Sequence, residues 1–71
     1  MVISHNQSTP SNRWIITHNQ NAEGALIDVF VYYDGALRKV LPLKIVEVTR
    51  NTIEVHFTEA HYGTATLAFV L

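Results

Sequence analysis

Residues 26–35 read LIDVFVYYDG, and this stretch decides the fold. Ile27, Val29, Val31 and Tyr33 recur at every second position, with Asp28, Phe30, Tyr32 and Asp34 between them, which is the period of a strand with one set of side chains on each face. Asp34-Gly35 is a strong hairpin signal, because both residues tolerate the left-handed backbone of a tight turn. A strand over residues 26–33 is therefore predicted to turn back into RKVLPLKIVEVT, residues 38–49. Pro42 cannot donate to a ladder, so it marks an edge position, a bulge, or a break into two strands near residues 38–41 and 43–49.

The same texture extends outward from this hairpin. RNT, residues 50–52, is a turn, after which Ile53, Val55 and Phe57 alternate with Glu54, His56 and Thr58. EAHYG is read as a further turn at Gly63, and Ala65, Leu67, Phe69 and Leu71 then alternate with Thr64, Thr66, Ala68 and Val70 in a last strand. Upstream, residues 13–17 form a strand with Trp14 and Ile16 on one face, closed by HNQNAEG, where Asn and Gly accept left-handed geometry. Residues 1–12 are polar, without period, and read as a flexible arm. No helical period competes, since NAEGALID is short and interrupted by Gly24. The expected architecture is an N-terminal arm, 1–12, and one all-β domain, 13–71. Five or six antiparallel strands would there bury their apolar faces as a small sandwich or flattened barrel.

Composition bounds the function. The chain has 71 residues and no cysteine, so disulfides and thiolate metal sites are excluded. A domain of this size buries only about 60 % of its unfolded surface, and oligomerisation is the expected supplement. Five basic residues against six acidic ones lack the excess that nucleic-acid binding requires. No apolar run approaches the ~20 residues of a membrane span, and the N-terminus lacks the pattern of a signal peptide, so no membrane insertion is expected.

Chemistry is sparse. His5, His18, His56 and His61 lack metal-ligand spacing, the serines all lie in the arm, and the carboxylates are spread singly. Neither catalytic residues nor a metal or cofactor site is expected. His18 and Asn19 end the first strand. The imidazole is expected to pack beside Trp14 or donate to a carbonyl, and the Asn side chain to cap the turn. Trp14 is expected in the core, although it, Tyr32, Tyr33 and Tyr62 are all flat surfaces on which a sugar ring can stack.

Taken together, WIITHN, VFVYYDG, the VLP of residues 40–42, NTIEVHF and GTATL resemble a short β-module of bacteriophage tail-fibre, tail-spike and other virion proteins. The resemblance covers residues 13–69. Its pattern is Trp14, an alternate apolar residue, His18-Asn19, an alternating valine pair before Asp34-Gly35, then Asn51, an alternating strand ending in Phe57, and Gly63 opening the final strand. The module usually continues His-Asn with Leu-Gly, where this chain has Gln20 and Asn21, and it often carries polar residues where this chain has Phe30 and Tyr32. Aromatics at those outer positions are commonly a buried subunit contact.

The resemblance implies a non-enzymatic structural subunit of a virion, in its tail, fibre or capsid surface, made in the host cytoplasm. With Met1 only 13 residues before Trp14, a free-standing subunit is the expectation. The alternative is a receptor- or carbohydrate-binding module at a fibre tip, facing a host-surface glycan. Expected partners are other virion proteins and further copies of the chain, a trimer first, through Phe30, Tyr32, Ala68 and Val70.

Overall fold

The computed structural model describes residues 1–22 and 24–69. Five antiparallel strands, β1 (Val2–Thr17), β2 (Leu26–Tyr33), β3 (Ala36–Val40), β4 (Lys44–Thr49) and β5 (Thr52–Ala68), form one sheet. Its order is β1-β5-β2-β3, with β4 also pairing to β5. β2 and β3 form the hairpin read from the sequence, and Asp34 (φ 51°) and Gly35 (φ 75°) are both left-handed at its turn. Pro42 falls in the break between β3 and β4.

The sheet closes on itself because its two long strands bend. Seventeen extended residues span roughly 56 Å at ~3.3 Å each, yet the longest dimension of the molecule is 36 Å. Both ends of β1 accordingly meet the end of β5. The Phe69 amide donates to the Met1 carbonyl at 2.9 Å, and the His18 ring lies 4.8 Å from that of Phe69. Nearer the corner, the His5 and Trp14 rings are 6.2 Å apart, and those of Phe57 and His61 are 5.3 Å apart. The corner coincides with register shifts between Gln7 and Ser11 and between Ser11 and Arg13, since irregular pairing is how strands turn sharply. One layer holds residues 2–7 and 63–68 with β2 and β3. The other holds residues 13–17 and 52–56 with β4.

Each layer supplies half of the core. Trp14, Ile16, Ile53, Val55 and Phe57 face Val29, Val31, Ala65, Leu67 and Phe69, all buried. Trp14 sits at the corner, edge-on to Phe57 at 4.9 Å. Its indole N–H donates to the carbonyls of Ser11 and His61, both at 3.1 Å. These two residues are paired across β1 and β5, so one side chain ties the bend in both strands.

Two expectations are corrected here. Residues 2–12 are the first part of β1 and not a free arm, so the domain does not begin at residue 13. Val2 to Gln7 pair residue by residue with Ala68 to Gly63. Ile3, His5 and Gln7 alternate into the half-buried side, but two of the three are polar, so hydropathy conceals the strand. The second correction concerns Gly63, which lies within β5 and not in a turn. It is paired with Gln7 on one side and Val31 on the other. A Cβ there would stand 2.8 Å from the Val31 Cα and closer still to the Phe30 carbonyl. Glycine is required by the close approach of β2.

Candidate functional site

The His18–Asn19 turn is a structural clamp. Asn51 holds it: its carbonyl accepts the His18 amide at 2.8 Å, and its side-chain oxygen accepts the Asn21 amide at 2.7 Å. Asn19 and Asn21 are both left-handed, at φ 56° and 49°. The His18 ring is buried, and its Nδ1 accepts the Gln20 amide at 3.1 Å, which assigns the proton to Nε2. Among the described residues Nε2–H has no partner. The turn's capping side chain is thus Asn51, in the RNT turn, and the imidazole packs on Phe69 while Trp14 packs on His5 and Phe57.

The titratable side chains form small local pairs. Lys39 Nζ is 3.1 Å from Asp28 on the exposed face, and His56 Nε2 is 3.0 Å from Glu54. Among the described residues no three His, Asp or Glu side chains converge, and no helix is long and apolar enough to cross a membrane.

Two apolar surfaces stand out. The first is the outer face of the β2–β3 layer, built by the register of four strands. The pairing sets Tyr32 beside Leu37, Phe30 between Lys39 and Thr64, and Ala68 between Leu26 and Val2. Tyr32 stacks on Tyr62 at 5.1 Å and 18° between ring planes, and these two rings and Leu37 are each nearly half exposed. Phe30 and Ala68 are half-buried in the same face. Of the interface residues expected from the sequence, Phe30, Tyr32 and Ala68 therefore share one surface, while Val70 lies outside the described residues. Leu37 and Tyr62 complete the patch. Leu37 escaped the sequence reading because its place beside Tyr32 depends on the β2–β3 register.

The second is a groove of about 510 Å³ at the open side of the sandwich. Val31, Val40, Leu41, Leu43 and Phe57 are among its apolar lining, and Arg38 and His61 are among its polar groups. Leu41 is 96 % exposed. Its position next to Pro42, in the break between two strands, leaves it without a neighbour to pack on.

No protein family, curated protein or solved structure matches this chain.

Proposed function

We propose that this chain is a non-enzymatic structural module of a bacteriophage virion, acting through contacts with other virion proteins and with copies of itself. The outer face of the β2–β3 layer carries the reading. Tyr32, Tyr62 and Leu37 are exposed there beside Phe30, and an aromatic patch of this kind on so small a domain is suited to burial against another subunit. The ordered motifs from Trp14 to Gly63, which resemble the phage module, supply the virion class and the expectation of a threefold assembly. Burying the parts of Phe30 and Tyr32 still exposed in the monomer would contribute on the order of 2–3 kcal/mol per subunit before association costs.

The test has two parts. Particles purified from a producing culture should contain the chain by mass spectrometry, and its absence from them would remove the virion reading. Sedimentation of the isolated protein should show a species larger than a monomer that the double change Phe30→Ser, Tyr32→Ser reduces. A glycan-binding role is the second reading, favoured by the near-coplanar Tyr32–Tyr62 pair, whereas buried Trp14 is unavailable for stacking. Chemical-shift changes at Tyr32 and Tyr62 on titration with host-surface oligosaccharides would support that reading.

A further inference from the structure

The cations that lack a partner gather on the open side of the sandwich. Of the five Lys and Arg residues, Lys39 is paired with Asp28, and Arg50 donates to the side chain and carbonyl of Asn21. Arg13, Arg38 and Lys44 have no side-chain partner among the described residues, and all three border this side. Arg38 lines the groove described above. Arg13 lines a second groove of about 540 Å³, together with Ser11, Asn12, Ile15 and His56. Leu43 and Phe57 line both grooves, so the two are continuous. Among the described residues no carboxylate lines either of them.

Register builds the more basic end. Arg13 of β1 and Lys44 of β4 are both paired with His56 of β5, so three basic side chains form one row across the outer face of their layer. At about 4.8 Å between strands, the Arg13 and Lys44 Cα atoms stand roughly 10 Å apart with the imidazole between them. Sheets are stabilised by opposing unlike charges and not like ones. The nearest carboxylate along β5, Glu54, is engaged with His56 Nε2 at 3.0 Å, which leaves both flanking cations uncompensated.

We infer that the joined grooves are a docking site for a linear acidic peptide segment of another protein. An apolar residue of that segment sits on Leu43 and Phe57, and carboxylates on either side of it meet Arg38 at one end and Arg13 and Lys44 at the other. This inference rests neither on the virion reading nor on the outer aromatic face.

The chemistry of the lining selects the occupant. The middle is aliphatic and accessible, with Leu43 65 % exposed beside Leu41. A sugar or nucleotide laid there would lose water from its polar groups without regaining hydrogen bonds. A fatty acid carries one head group and satisfies the cations at one end only. A peptide can place carboxylates on both sides of an apolar side chain, and carboxylates match the fork of a guanidinium. Pairs between exposed charges are individually weak, so the segment binds with modest affinity that falls as salt screens the charges.

Titration of isotope-labelled protein with a blocked hexapeptide, two leucines flanked on each side by two glutamates, tests the site by amide chemical shifts. Shifts should move at Arg13, Arg38, Leu43, Lys44 and Phe57 and give a Kd of about 1 mM or below. Arg13→Gln and Arg38→Gln should each weaken binding about threefold, and the double change about tenfold. Leu43→Ser should weaken it about fivefold. These three side chains are exposed, so thermal melting should be unchanged. Lys39→Gln, whose cation belongs to the outer face of the other layer, should bind as wild type does. Raising NaCl from about 0.05 to about 0.5 M should weaken wild-type binding at least about threefold. The inference is overturned by an absence of shifts up to about 5 mM peptide, or by shifts centred on Tyr32 and Tyr62. It is equally overturned by undiminished binding of a peptide with lysines for glutamates or serines for leucines, or by tighter binding of decanoate or an oligogalacturonate than of the peptide.

Discussion

Replacing Gly63 by Ala should destabilise the domain severely for the addition of one methyl group. The backbone at Gly63 has no left-handed strain to relieve, so the cost is steric. The new Cβ meets the Phe30 carbonyl and stands 2.8 Å from the Val31 Cα. Both belong to the backbone of β2, which cannot rotate aside as a flexible side chain would. Overpacking of this kind costs about 1–3 kcal/mol, and rigid backbone places it at the upper end. Against it stands a gain of about 0.4–1 kcal/mol from the reduced freedom of the unfolded chain, leaving a net loss near 2 kcal/mol. For a domain of this length each kcal/mol moves the melting temperature by about 4–8 °C, so calorimetry should register a fall of roughly 10–15 °C. Gly35→Ala is the control, because its Cβ would meet nothing within 4 Å and only its φ of +75° is strained. It should lose about 1–2 kcal/mol through the left-handed backbone alone. A Gly63→Ala protein that melts within about 2 °C of wild type would refute the close approach of β2 to β5.

Trp14→Ala should abolish cooperative folding, at a cost of roughly 3–5 kcal/mol, whereas Trp14→Phe should lose about 1–3 kcal/mol by leaving the Ser11 and His61 carbonyls without their shared donor; urea titration followed by far-UV circular dichroism separates the two. His18→Asn keeps an acceptor near the Nδ1 position and should melt above His18→Leu, which strands the partly buried Gln20 amide at a cost of about 0.5–1.5 kcal/mol. Deleting residues 1–7 should remove about half of the β1 ladder, roughly 3–9 kcal/mol at ~0.5–1.5 kcal/mol per hydrogen bond, and leave the chain unfolded or protease-sensitive; an unchanged melting curve would restore the flexible arm.

The parts of this fold that were legible are those where hydrophobicity and backbone period coincide. β2 shows its alternation in Ile27, Val29 and Val31, and Asp34-Gly35 announces its turn, so the strand ends where the sequence placed them. At Pro42 the withdrawn ladder donor left an edge position, a bulge or a break as alternatives, and the structure shows the break, between Val40 and Lys44. The first half of β1 was not, because its inward positions are filled by Ile3, His5 and Gln7. His5 is accommodated beside Trp14, and Gln7 pairs with its ring at 2.9 Å, so the strand satisfies polar groups where a hydropathic reading expects apolar ones. Residues 59–63, EAHYG, were read as a turn for a related reason. Glu59, Ala60 and His61 break the apolar alternation, yet the chain bends there without leaving the sheet. For the surface, Phe30 and Tyr32 were visible as outward aromatics, but their neighbours Leu37 and Tyr62 come from other strands and depended on register. Asn51 was visible as a motif residue, but its hold on the first turn was not, because its partners there lie about thirty residues earlier in the chain.

The bent strands also determine the order in which this molecule can assemble. β1 is the first strand made and β5 the last, and between them lies the most extensive strand contact in the domain, with Met1 bonded to Phe69. Neither layer is a separate piece of chain, since both β1 and β5 cross from one to the other. No half of the domain is therefore able to persist as a folded intermediate on the ribosome, and β1 must wait, unpaired, until the final strand has emerged. Contacts so distant in sequence make for slow folding, with milliseconds to seconds the ordinary range for all-β domains. During that interval the apolar edge of β4 has no formed β5 beside it, and the nascent chain is at its most exposed to misassembly.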